Sequence, residues 1–151
     1  MIKADVVVEN KLWKRKIKLP NIYIKKKIRK ISQFYLTKKK QLLFTILLTG
    51  NSKMKYLNKK FRNKKKTTDV LSFPFCEKKE RNVKNNLKSV YLGDIAINYK
   101  IINQRSKKSN FNYEFDKMWV HGYLHLLGFD HKNVKDYKVM KRIEDRILKI
   151  L

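Results

Sequence analysis

The sequence predicts a mixed α and β fold in one domain spanning residues 1–151. Three observations predict it. Short runs of β-branched and apolar residues alternate along the chain with segments of helical spacing. No segment repeats, and no linker rich in Gly, Pro or Ser divides the chain. The length suits a single core, and the 42% of hydrophobic residues is enough to fill one.

Taken in order, Ala4–Glu9 is rich in β-branched residues and reads as an early or edge strand. From Asn21, the residues Ile22, Ile24, Ile28, Ile31, Phe34 and Tyr35 recur at roughly helical spacing with lysines between them. That is an amphipathic helix ending near Lys38–Lys40. Leu42–Leu48 is a short apolar strand closed by Gly50. Asn51 or Ser52 offers an N-cap for a helix through Phe61, with Met54, Leu57 and Phe61 on one face. Residues 63–66 form a basic loop, and Thr67–Phe75 reads as a strand stopped by its proline. Glu77–Lys88 is charged and aperiodic, the pattern of a mobile loop. Tyr91–Asn98 returns to strand, with Ile95 and Ile97 alternating against Asp94 and Ala96, and a short helix follows to about Lys107. Phe111–Leu127 reads as a long, largely buried helix. The last helix, Asp136–Leu151, sets Met140, Ile143, Ile147 and Leu151 on one stripe.

Charge narrows the partners. Lys and Arg number 39 against 12 Asp and Glu, a formal net charge of +27. Such a surface favours polyanions, because each neutralised phosphate releases counterions. Lys far outnumbers Arg and Asn and Ile are abundant, so compositional bias accounts for part of the excess. Charge alone does not decide for nucleic acid. The single cysteine, Cys76, excludes an internal disulfide and reads as a free thiol in a reducing compartment rather than as a metal ligand. The amino terminus lacks the apolar run of a signal peptide, and Leu42–Leu48 is far too short to span a bilayer. A soluble, cytoplasmic protein is expected. Trp13, Tyr35 and Trp119 stand at core-like spacing and read as packing residues rather than base-stacking ones.

All three histidines fall between His121 and His131. His121 and His125 are four apart on the expected helix, so their rings project from one face at neighbouring turns. Gly128 is placed to end that helix in a left-handed conformation, letting the chain turn back and deliver His131. Three imidazoles leave a fourth coordination position open, as in catalytic rather than structural zinc sites. Copper, nickel or cobalt could use the same ligands. In the zinc-peptidase signature a glutamate general base follows the first histidine. Here that position is Gly122, which counts against peptide hydrolysis.

The run His121-Gly122-x-Leu124-His125-Leu126-x-Gly128-x-Asp130-His131 resembles the metal motif of the YbeY family of bacterial rRNA maturation factors. Two further blocks agree with it. One is Leu57-Asn58, Phe61-Arg62 and Thr68-Asp69-Val70-Leu71-Ser72-Phe73-Pro74, and the other is Leu92-Gly93-Asp94-Ile95. The blocks keep family order across roughly residues 54 to 131, while the flanks add only compatible patterning. The loop Glu77–Lys88 and the high charge depart from the family pattern without touching the motifs.

The resemblance implies a small, mostly parallel sheet supporting helices, with one zinc ion in a cleft at the end of a central helix. It implies a single-strand-specific endoribonuclease acting on ribosomal RNA, including the 16S 3′ end, with the small ribosomal subunit or its proteins as further partners. It also implies that Arg62 is functionally important, as a guanidinium that clamps a phosphodiester and stabilises charge on its oxygens. Asp69 could cap or orient its turn, Asp94 could brace a strand end, and Asp130 could orient a ligand or cap the helix exit. Two rivals make different predictions. A zinc peptidase would ignore RNA, and a metal-containing assembly factor would bind RNA with steep salt dependence and no turnover.

Overall fold

Four strands meet in one sheet in the order β1-β2-β4-β3. In this computed structural model, which describes residues 1–34, 40–75 and 88–151, they are β1 (Ile2–Val8), β2 (Gln41–Thr49), β3 (Val70–Pro74) and β4 (Ser89–Asn98). β1, β2 and β4 run parallel and only β3, at an edge, is antiparallel. The mostly parallel sheet is therefore present. Alternation sets the faces: Ile2, Ala4 and Val6 of β1 and Leu42, Phe44, Ile46 and Leu48 of β2 point into one core. Pairing of Ile2 with Leu42 through Val8 with Leu48 fixes the ends of β1, which starts two residues earlier than Ala4.

Six helices lie among the described residues: α1 (Trp13–Lys16), α2 (Pro20–Phe34), α3 (Asn51–Arg62), α4 (Tyr99–Arg105), α5 (Phe111–Leu126) and α6 (Val134–Ile150). The apolar faces of α2, α5 and α6 cover the main core. α3 crosses the other face, where Met54 packs on Leu71 and Ala96. Ala96 is buried there, so β4 does not follow the simple alternation expected of it. Trp13 and Trp119 are buried, as packing residues should be. Trp13 sits among the rings of Tyr99, Phe111 and Phe115 and donates from Nε1 to the Thr49 carbonyl. This anchor explains α1, a single turn that no periodicity announces. No described helix is long and apolar enough to cross a membrane.

Several boundaries differ from expectation for identifiable reasons. The N-cap of α3 is Gly50, without a side-chain cap, because Asn51 Oδ1 accepts from Asn98 Nδ2 instead (3.2 Å). α6 starts at Val134 because Asn133 caps the Asp136 amide (2.8 Å). β3 starts only at Val70, since Asn98 Nδ2 also takes Thr67 Oγ1 and the Thr68 carbonyl into a loop. Cys76, Tyr35, the Lys38–Lys39 helix end and nearly all of the Glu77–Lys88 segment lie outside the described residues.

Gly122 fixes how closely α5 approaches the sheet. A Cβ there would stand 2.7 Å from Ile95 Cγ2, on a β-branched side chain that is itself fully buried. Replacing Gly by Ala in a helix ordinarily stabilises by about 0.5–1 kcal/mol. Gly122→Ala should instead destabilise by about 1–3 kcal/mol through overpacking, measured by urea unfolding. A stabilised variant would contradict the close approach.

Asp69 ties β3 to α4 through Arg105 (2.7 Å) and accepts the Val70 amide (2.9 Å). Burial raises its pKa, but the Val70 N–H and the Arg105 guanidinium together outweigh burial and hold the carboxyl below its ordinary 3.8. A depressed folded-state pKa stabilises above the unfolded value and stops doing so as pH falls through the folded one. Asp69→Asn should therefore cost stability at pH 6 and cost less at pH 3, read from paired denaturant melts.

Candidate metal centre

The site grows out of the end of α5. This helix is buried on most of its surface, and His121 and His125 occupy its half-exposed side. Its exit is a Schellman turn: Phe129 N–H bonds to the Leu124 carbonyl (3.0 Å) and Gly128 N–H to the His125 carbonyl (2.9 Å). Gly128 has φ +89°, a conformation that glycine adopts without a Cβ penalty. The chain then reverses, and Asp130 Oδ1 accepts the His131 amide (2.7 Å). Among the described residues, Asp130 thus acts on the backbone at the helix exit and on Lys132 rather than on a histidine ring. The three imidazole centroids lie 4.7, 4.9 and 5.4 Å apart.

The ring protons can be assigned from their partners. His121 Nδ1 stands 3.1 Å from Glu144 Oε1, and His125 Nδ1 stands 3.0 Å from the Phe129 carbonyl. A carboxylate and a carbonyl only accept, so both Nδ1 atoms carry the proton. For Glu144, burial raises the pKa, but the His121 N–H and the Lys141 ammonium outweigh it and keep the carboxyl ionised. Burial lowers the His125 pKa, and the neighbouring His121 and His131 lower it further, so its ring favours the neutral form. The Nε2 atoms of His121 and His125 face each other at 3.1 Å, close enough for one ring to donate a proton to the other. A metal ion bound there would take the place of that proton and use both lone pairs. Two nitrogens bound to one tetrahedral zinc at ~2.0–2.1 Å stand roughly 3.3 Å apart. Ligand atoms of all three histidines lie within 4.8 Å of one another, so this group could hold a metal ion.

The histidines open into a cleft of about 850 Å³ that is also lined by Phe61, Arg62, Ser72 and Phe73. Arg62 ends α3, and no described group forms a hydrogen bond or ion pair with its guanidinium. Asn63 follows in the left-handed conformation (φ 53°) and closes the helix by bonding back to the Lys59 carbonyl. Buried Asn58 then takes the Lys66 carbonyl (2.6 Å), which holds the exposed lysines 64–66 beside Arg62. The cleft's two aspartates are both engaged. Asp69 serves Arg105, Thr68 and Val70, and Asp130 serves His131 and Lys132. Asp94 lies elsewhere, on the sheet face away from the main core, where it accepts from the Tyr91 hydroxyl (2.6 Å).

The structure thus gathers His121, His125, His131 and Arg62 around one cleft. Sequence reasoning missed Glu144. Its signal is a carboxylate on the buried stripe of α6, one turn after Met140, where an unpaired charge would be costly. Gly122 also changes meaning. It faces Ile95 rather than the histidines, so a glutamate there would meet the sheet. Removing the Nδ1 acceptor with Glu144→Met should weaken zinc binding by about 10–100-fold, read by competition with a chelator. Unchanged affinity would show that Glu144 does not orient His121.

Comparison with known proteins agrees with this architecture. A family model described as endoribonuclease YbeY matches residues 7–151, which includes the final helix and Glu144. A Pelagibacter ubique protein named endoribonuclease YbeY is 45% identical over 153 aligned positions, covering 100% of this chain and 97% of its own. A Thermodesulfovibrio yellowstonii protein of the same name is 36% identical, covering 89% of this chain and 90% of its own. The solution structure of a Thermotoga maritima protein superposes with a TM-score of 0.63 at 25% identity, over 99% of this chain and 88% of that one. The chain belongs to the endoribonuclease YbeY family.

Proposed function

We propose that the protein is a zinc-dependent endoribonuclease that cleaves single-stranded RNA during ribosomal RNA maturation, the 16S 3′ end included. The observation that carries the reading is one cleft lined by three convergent imidazoles and by an arginine with no partner among the described residues. The relatives named endoribonuclease support the reaction class. Three nitrogen ligands of borderline softness suit zinc. A divalent ion there supplies Lewis-acid polarisation of a phosphoryl oxygen.

The chain's own groups do the rest. His121, His125 and His131 would hold the ion, with Glu144 and the Phe129 carbonyl fixing two of the rings. The Arg62 guanidinium grips the scissile phosphate and stabilises charge gathering on its non-bridging oxygens. Lys64–Lys66 position the strand by its backbone without reading bases. With both cleft aspartates engaged and Gly122 against the sheet, the described residues of the cleft offer no unengaged carboxylate of the kind peptide hydrolysis needs. The protein acts in the cytoplasm on ribosomal RNA, with the small ribosomal subunit or its proteins as the setting.

His125→Ala should lose both bound zinc and cleavage of single-stranded RNA. Arg62→Ala should keep its zinc and lose about 10²–10³ in rate. The check is a cleavage assay with metal content measured on the same preparations. A His125→Ala protein cleaving at the wild-type rate would contradict the reading, and RNA binding without turnover in the zinc-loaded wild type would favour an assembly factor.

A further inference from the structure

A second cavity, of about 570 Å³, opens on the sheet face that α3 covers only in part. It shares a wall with the metal cleft, because Phe61, Phe73 and Pro74 line both. Its lining is mostly apolar, and Phe61 and Phe75 are 58% and 68% exposed. Two such rings are costly to leave in water on a chain of net charge +27. Phe61 rests edge-on against Phe73 at 5.0 Å, and the Lys60 ammonium stands 5.4 Å from its ring centre. Phe75 rests edge-on against Tyr91 at 5.7 Å. These edge contacts hold the two rings without using their full surfaces.

Two further features say what fits. Phe61 immediately precedes Arg62 at the end of α3, so a phosphate held by Arg62 puts the adjoining nucleoside within reach of Phe61. Asp94 also lines the groove. Its Oδ1 accepts from Tyr91, while Oδ2 has no partner among the described residues. A carboxylate there disfavours a phosphate and favours a base edge carrying an amino group. Every base also has a π-face that an aromatic ring can stack against.

We propose that this groove is a nucleobase subsite: unpaired bases next to the phosphate at Arg62 stack on Phe61 and Phe75, and one of them offers an exocyclic amino group to Asp94. This rests on the RNA reading of the cleft. The subsite selects single strands, because a paired base cannot leave its stack to enter it.

The test uses the zinc-loaded protein and a short single-stranded RNA carrying 2-aminopurine, at low temperature before cleavage is measurable. An otherwise identical strand with abasic sites serves as the comparison. The wild type should quench the 2-aminopurine fluorescence and bind the base-containing strand about 5- to 100-fold more tightly than the abasic one. The double variant Phe61→Leu, Phe75→Leu should lose both effects while keeping its melting temperature and its salt dependence of binding, since no phosphate contact is removed. Equal binding of both strands by the wild type overturns the subsite, and that comparison requires no variant to fold. Wild-type behaviour of the double variant overturns it too. Self-association of the wild type that the double variant abolishes would assign the groove to a second copy. Failure of the wild type to bind either strand would defeat the RNA reading itself, and the subsite with it.

Discussion

The Nε2 atoms of His121 and His125 face each other at 3.1 Å, while each ring's Nδ1 is engaged by an acceptor on the far side. Much of the structure serves to hold that arrangement. The Glu144 carboxylate comes from α6, which must therefore pack along α5. The Phe129 carbonyl comes from the turn that Gly128 permits. The same turn brings His131 back to the site. With both Nδ1 atoms engaged, the facing Nε2 atoms are left to share a proton or a metal ion.

The sheet provides the rigidity that such a site needs. α5 lies against β3 and β4, with Gly122 pressed on Ile95. Ser72 of β3, which lines the cleft, donates to the Gly122 carbonyl (3.3 Å) and links the sheet to the helix that bears the histidines. A buried polar group joins α2 to α5 as well: Asp116 accepts from the Tyr23 hydroxyl, the Lys27 ammonium and the Trp119 indole. These contacts place the two ligands of α5 on a helix with little freedom to shift. Arg62 differs in kind. It sits at a helix end beside a basic loop, exposed and unpaired among the described residues, which suits a group that must meet a mobile strand.

What the sequence disclosed follows the range of each interaction. His121 and His125, four apart, and the helix-ending Gly128 are local features, and the structure places them as their spacing implies. The apolar stripes of α5 and α6 and the strands β1, β2 and β4 were legible for the same reason. Long-range choices were not. Asn51 has the chemistry of a cap but is drawn away by Asn98, 47 residues later. Glu144 partners a histidine 23 residues before it, and its own helix gives only a polar position on an apolar stripe. α1 exists because Trp13 is buried among rings from α4 and α5. Gly122 was read for the glutamate it lacks, whereas its place in the structure is a packing requirement against Ile95.

In the proposed reaction, His121, His125 and His131 would hold one ion in this cleft that RNA cleavage depends on. The most direct measurement strips the protein with a chelator and titrates zinc back while following cleavage of single-stranded RNA. The account predicts no activity in the stripped protein and a linear recovery that saturates at one zinc per chain. Full cleavage by the stripped protein, or recovery that ignores the one-to-one point, would contradict it.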